Sequence, residues 1–279
     1  MSHLNINQDC PIIFNEVHSN STVYFKDTDT RELYLENKEK IGPKWYYFEK
    51  PIEYSYNSWG YRTKEFDELS DDYILVMGCS FTEGVGLYYE DLWSTKLGKK
   101  LSKDVFNLGM GATGPDFTMY NTILLHNFLL KKKKLPSLVV YQWSFKHRTS
   151  YMFNQGQNKL SVELFSATYP TEFYPENSKY YGKWYFKSFL EDGGEKIKNS
   201  NFSIMLCNNL WKSLNIPVYN WTWGEDFDMK YSNYFNNDVE LISLDDKTNV
   251  TGRDLSHNGH LSQDLVVETI LKKYKHGIS

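Results

Sequence analysis

Three cysteines in 279 residues, Cys10, Cys79 and Cys207, are odd in number and widely spaced, so neither a disulfide framework nor a paired metal site is expected. No stretch approaches the roughly 18 consecutive apolar residues of a membrane span. Charge of one sign is lacking too. The 31 basic and 35 acidic residues leave a formal net charge of -4. No broad basic face is implied, and nucleic acid is not an expected partner. The opening stretch, Met1 to Gln8, has no basic region followed by an apolar run. No signal peptide is expected there, which places the chain in a cytoplasm or in a virion-like particle assembled in one. No internal repeat and no low-complexity linker breaks the sequence.

Aromatic residues are plentiful, at 17% with 22 Tyr and 8 Trp. They suit a cleft that stacks ring-shaped ligands such as sugars, but first of all a thick core. The length fits one large α/β domain or two small ones. Residues 1–70 are polar, turn-rich and aromatic, without a long helical period. Trp45–Phe48 and Ile52–Tyr56 read as short strands or extended pieces. The whole segment reads as a wrap on the main domain rather than as a source of site residues such as Asn57 or Arg62.

The centre of the pattern is Tyr73-Ile74-Leu75-Val76-Met77 followed by Gly78-Cys79-Ser80. A continuous apolar run between turn signals reads as a parallel strand covered on both faces. Ser80 then projects from the strand's carboxyl end, where open α/β sheets bind ligands. The bland alternative is a glycine turn with Ser80 as a helix cap. Further on, Tyr89–Leu101 reads as a helix and Val105–Met110 as a strand. Phe117–Leu130 follows as a helix, Leu138–Trp143 as a strand, Glu195–Leu214 as a helix, Ile216–Trp221 as a strand and Leu261–Tyr274 as a closing helix. Strands alternating with helices predict a parallel sheet wrapped by helices. Lys131–Lys134 reads as a solvated helix end, where cations complement the dipole. An insertion at about 149–194 interrupts the rhythm and is expected to overhang the Ser80 side as a lid or specificity element.

Asp254-Leu255-Ser256-His257 lies in a loop before the closing helix. A carboxylate and an imidazole three residues apart can share one turn, the first fixing the tautomer of the second for proton transfer. His260 is a competing imidazole, but its place at the start of the helix suits packing.

These stretches together resemble the SGNH/GDSL hydrolases, in a form similar to a bacterial or phage-type branch. Gly78-Cys79-Ser80-Phe81-Thr82-Glu83-Gly84 looks like the family's first block, Asn107-Leu108-Gly109-Met110-Gly111-Ala112 like the second, and Asp254-x-x-His257 like the last. The resemblance covers about residue 72 to the end. Tyr56-Asn57-Ser58-x-Gly60-Tyr61-Arg62 is similar to the lead-in of some such proteins. It implies a flavodoxin-like three-layer α/β/α fold with a central parallel sheet, here with an irregular, β-rich N-terminal extension. It also implies ester hydrolysis with Ser80 as nucleophile, His257 as base and Asp254 orienting it, through an acyl-enzyme, with no metal or organic cofactor. The oxyanion would be held by the N–H of Ser80 and one from Gly111 or Ala112.

The sequence departs from that pattern in three places. Cys79 stands where aspartate is common. Ala112 falls where a glycine is usual. The third block, Gly-x-Asn-Asp in the family, is replaced by Gln142-Trp143-Ser144-Phe145, without the Asn that serves as an oxyanion donor. Ser144, the Trp143 indole and Asn57 are the candidate substitutes. The expected substrate is a small-molecule or glycan ester losing a short acyl group, acetyl foremost. An acyltransferase on the same site and a glycan-binding module without activity are the alternatives.

Overall fold

The structure, a computed structural model, describes residues 4–6, 10–145, 147–154, 160–166, 194–223, 240–245, 248 and 250–276. Its centre is a five-stranded sheet made of β5 (Tyr73–Gly78), β6 (Asp104–Gly109), β7 (Leu138–Gln142), β10 (Val218–Trp223) and β11 (Leu241–Leu244). All neighbours pair in parallel, in the order β11-β10-β7-β5-β6. Counted along the chain within this sheet the order is 2-1-3-4-5, the flavodoxin-like arrangement, and its switch point lies between β5 and β7.

Two layers of helix cover this sheet, which explains why β5 shows no polar alternation. Ile74 and Val76 pack into one cluster with Trp93, Leu97, Val266 and Ile270. Those side chains come from α3 (Trp93–Leu101) and α6 (His260–His276). Tyr73, Leu75 and Met77 pack into the other cluster with Phe117, Leu125, Ile204 and Trp211, from α4 (Pro115–Lys132) and α5 (Gly194–Lys212). Every residue of β5 is buried. The fold is a three-layer α/β/α sandwich.

The N-terminal segment is built into this body. It holds β1 (Leu4–Ile6), β2 (Phe14–Asn15), β3 (Thr22–Val23), α1 (Arg31–Ile41) and β4 (Tyr54–Ser55), with β3 and β4 paired as a small ribbon. Ile12, Ile13 and Tyr61 are at most 1% exposed inside the core shared with Tyr141 and Phe117. Each such aliphatic side chain stabilises the folded chain by about 1.5–3 kcal/mol relative to exposure, so this segment is integral to the core. Helix α1 was not apparent from apolar periodicity, because it is mostly polar. It is marked instead by its ends: the Thr30 hydroxyl accepts from the Leu33 N–H and Gly42 closes it at φ 79°. Trp45–Phe48, expected as a strand or extended piece, forms turns closed by Trp45 N–H to Gly42 O and Phe48 N–H to Trp45 O. The insertion expected at 149–194 begins with two antiparallel strands, β8 (Arg148–Asn154) and β9 (Leu160–Ser166). Strand β9 also pairs with β1, giving a second sheet of order β2-β1-β9-β8. Residues 155–159 and 167–193 of the insertion, and with them the expected lid or specificity element, lie outside the described residues. No helix among the described residues is long and apolar enough to cross a membrane.

Candidate active site

Ser80 begins a four-residue helix, α2 (Ser80–Glu83), directly after β5, at the switch point of the sheet. Gly84 closes that helix in the left-handed region at φ 82°, a conformation that calls for glycine. The turn is tied to its neighbours. Gln142 Oε1, at the end of β7, accepts from the Cys79 N–H at 2.9 Å, the Cys79 thiol at 3.1 Å and the Thr82 hydroxyl at 3.3 Å. Asn107 Nδ2 on β6 donates to Thr82 O at 2.8 Å. Three adjacent strands thus fix the position of Ser80.

The loop before α6 brings the other two groups to this serine. His257 Nε2 lies 2.8 Å from Ser80 Oγ, and His257 Nδ1 lies 2.6 Å from Asp254 Oδ2. The other carboxylate oxygen, Oδ1, accepts from the backbone N–H groups of Ser256 at 3.2 Å and His257 at 3.1 Å. The Asp254 side chain is fully buried and that of His257 is 12% exposed. Burial alone would raise the Asp254 carboxyl. The hydrogen bonds and charge of His257, with the bond from Thr28, hold it below the ordinary carboxylate range. A buried carboxylate, an imidazole and a hydroxyl in one hydrogen-bonded line can activate the hydroxyl for attack on an acyl carbon. His260 heads α6 and stacks on Tyr46 with ring centroids 4.1 Å apart, apart from this line.

Several residues of the site come from parts of the chain that local patterns did not single out. Thr28 Oγ donates to Asp254 Oδ2 at 2.5 Å. Buried Arg253 donates to Asp29 from Nε at 2.8 Å and from Nη2 at 2.7 Å, and Tyr54 OH donates to the same carboxylate at 2.5 Å. Tyr54 OH in turn accepts the Gly86 N–H at 2.9 Å. The Asp254 loop is therefore fastened to the N-terminal segment, and that segment to the loop after α2. Arg62, which the sequence does single out and assigns to the wrap rather than to the site, lies in the same framework. It is buried and donates to the carbonyls of Glu83, Gly84, Leu87 and Glu53.

The expected oxyanion donors separate into two groups. The N–H of Gly111 is given to Glu83 Oε2 at 2.6 Å. Ala112 is exposed and holds φ 62°, a left-handed conformation uncommon for a residue with a Cβ. Ser80 is the first helical residue, so its N–H has no acceptor within the helix. Of the substitutes for the absent Asn, the Trp143 indole is committed to Asn220 Oδ1 at 2.9 Å. Asn57 is engaged as well. Its Oδ1 accepts from Trp59 N–H and Tyr61 N–H and its Nδ2 donates to Lys64 O, so it closes its own turn. Ser144 accepts from Arg148 Nη1 at 3.2 Å, which leaves its O–H able to donate. It follows β7 at the sheet end that carries Ser80.

An aromatic wall stands beside the line of three. The Phe81 ring lies 4.9 Å from that of His257, 6.3 Å from Trp223 and 6.5 Å from Phe145. No group of His, Cys, Asp and Glu able to hold a metal ion occurs among the described residues.

Fold and site together define a flavodoxin-like α/β/α protein with a Ser–His–Asp array at the carboxyl end of its first sheet strand. The sequence matches no protein-family model and no curated protein. Among solved structures it is similar to an acetyl xylan esterase from Butyrivibrio proteoclasticus, with 11% identity and a TM-score of 0.47 over 74% of this chain and 64% of that one. It is also similar to a family two carbohydrate esterase from Clostridium thermocellum in complex with cellohexaose, with 12% identity and a TM-score of 0.42 over 75% and 65%. A GDSL-like lipase from Bacteroides ovatus matches with 12% identity and a TM-score of 0.30 over 75% and 52%. The chain spans less than two thirds of the length of each of these three structures.

Proposed function

We propose that the chain is a serine hydrolase of the SGNH/GDSL type that cleaves carboxylic esters. The observation that carries this reading is the unbroken line from Ser80 Oγ through His257 to Asp254 Oδ2, with steps of 2.8 and 2.6 Å. Ser80 Oγ attacks the acyl carbon while His257 Nε2 takes its proton. The imidazolium so formed is stabilised by Asp254 and then returns the proton to the departing alcohol oxygen. A water activated by the same imidazole attacks the acyl-enzyme and releases the acid. The oxyanion is held by the N–H of Ser80 and that of Ala112, the Gly111 N–H being engaged by Glu83, with the Ser144 hydroxyl as the third donor. Each such donor accounts for about 10²–10³ in rate. The wall of Phe81, Phe145 and Trp223 suits a short acyl group or the apolar face of a sugar ring, so a small acyl ester of a glycan, acetyl foremost, is the substrate class.

A fluorophosphonate probe tests this reading directly. The wild type is expected to be labelled, and Ser80→Ala and His257→Ala to be blank. A folded wild type that takes no label would move the assignment to a glycan-binding module.

A further inference from the structure

Asp27 stands beside this site without a part in its hydrogen-bonded line. It occupies a tight turn in which Lys26 and Asp29 exchange both backbone hydrogen bonds, at 3.0 and 2.8 Å. Both of its neighbours are anchored in the site. Lys26 Nζ pairs with buried Glu83, and Thr28 Oγ bonds Asp254. Asp27 itself holds φ 52°, a left-handed conformation that Asp tolerates better than most residues. Its carboxylate lies against the oxyanion loop, where a Cβ on Gly111 would fall 2.8 Å from Asp27 Oδ2. The side chain is half exposed, at 50%, and its cationic neighbour, Lys26 Nζ at 3.8 Å, is already paired with Glu83. A pinned carboxylate therefore faces solvent beside the oxyanion loop.

We propose that Asp27 is a specificity-determining residue whose carboxylate accepts a hydrogen bond from a hydroxyl of the substrate's alcohol part, favouring esters of polyols and glycans over esters that carry a negative charge. The inference rests on the ester-hydrolase reading and narrows it. Hydroxyl and ammonium are the two donors a carboxylate can recognise here. The aromatic wall of Phe81, Phe145 and Trp223 suits the apolar face of a sugar ring, so the proposal commits to the hydroxyl, and the ammonium is an outcome of the test. Partial burial raises the Asp27 carboxyl above its ordinary range, and the Glu83 charge adds to this while Lys26 and His257 oppose it.

The test uses Asp27→Gly, which removes the carboxylate at a backbone conformation glycine accepts, and Asp27→Asn, which keeps an acceptor without the charge. Each is compared with wild type on p-nitrophenyl acetate, a monoacetylated methyl glucoside, acetylcholine and acetylsalicylate. The expected result is a glucoside-to-p-nitrophenyl ratio of kcat/KM reduced about tenfold in Asp27→Gly and largely kept in Asp27→Asn. Discrimination against acetylsalicylate should relax in both. An unchanged ratio in Asp27→Gly overturns the proposal, and so does a loss seen only with acetylcholine. Binding of methyl glucoside to Ser80→Ala, with and without Asp27→Gly, is followed by NMR as a readout that needs no turnover. Weaker binding in the double variant supports Asp27 even if no ester is cleaved, in which case the hydrolase reading alone fails. No binding, or equal binding, overturns the role of Asp27.

Discussion

Thr28 Oγ and Asp254 Oδ2 are 2.5 Å apart although the two residues are separated by 226 positions, and the same oxygen faces His257 Nδ1. One carboxylate oxygen thus receives a hydroxyl from the N-terminal segment and an imidazole from its own loop. Thr28 is a positioning residue in this arrangement. Thr28→Val keeps the shape and removes the donor. It is expected to lower kcat severalfold with KM little changed, and Thr28→Ser is expected to restore it. A loss in KM alone, or failure of the serine variant to rescue, would count against the role.

Asp254→Asn tests the next link. The amide cannot stabilise the imidazolium and can present its N–H₂ to the ring, favouring the wrong tautomer. We expect kcat to fall by about 10³–10⁴, together with a loss of thermal stability near neutral pH that shrinks in acid, because the folded chain holds this carboxyl low. A loss below tenfold would mean that the two backbone N–H groups and Thr28 hold a group with little part in turnover.

Glu83 connects α2 to the loop of Gly111 and Ala112. It accepts from Gly111 N–H at 2.6 Å and from Tyr56 OH at 3.0 Å and pairs with Lys26, all in a buried setting. Burial would raise this carboxyl, but Lys26 and the Gly111 N–H hold it low, so it is charged. Glu83→Gln breaks the buried pair and leaves the Lys26 ammonium with only the half-exposed Asp27 carboxylate, at 3.8 Å, as an ionic partner, which is expected to cost up to about 3–5 kcal/mol. Replacing both, as Lys26→Met with Glu83→Gln, is expected to recover most of that loss in urea denaturation. Equal losses in the single and double variants would show that the ion pair is not what sets the cost.

The parallel sheet was legible because β5, β6 and β7 are covered on both faces and so read as continuous apolar runs. Ser80 and the Asp254–His257 pair were legible because each lies in a short local motif. The residues around them were not. Thr28, Lys26 and Gln142 have unremarkable sequence neighbours and acquire their place only through contacts dozens to hundreds of positions away. Asn57 stayed open for the same reason, since an amide before a glycine turn reads alike whether it closes that turn, as here, or reaches a distant site. Helix α1 left its signal in its caps, Thr30 and Gly42, rather than in periodicity. Strand β11 was missed because four residues at a sheet edge carry too short a pattern.

Gly109 shows how tightly β6 is packed under α2. A Cβ at this position would lie 2.5 Å from Glu83 N and 2.7 Å from Thr82 C, both backbone atoms that cannot swing aside. Gly109→Ala is therefore expected to push α2 off β6, displacing Ser80 from His257 and lowering both fluorophosphonate labelling and thermal stability. Wild-type labelling in this variant would mean that α2 can shift without disturbing the serine.

His18 provides a pH dependence with a definite sign. Its ring stacks on Tyr56 at 4.6 Å, next to the Lys26–Glu83 pair. Burial, then the Lys26 charge, push its pKa down from 6.5 to about 4, with Glu83 pulling the other way. Between those values the unfolded chain binds a proton at this imidazole that the folded chain does not. Stability therefore falls as pH drops from 6.5 toward about 4 and rises again in the opposite direction. The buried carboxyls of Asp254 and Glu83, both held low, also cost stability in acid, so wild type alone cannot isolate the histidine. His18→Gln removes the imidazole and leaves those carboxyls in place. Its unfolding midpoint is expected to vary less with pH across this window than that of wild type. Parallel curves for the two proteins would mean that the imidazole is protonated in the folded chain as readily as in the unfolded one. The stacking on Tyr56 would then have to be compatible with a second positive charge beside Lys26.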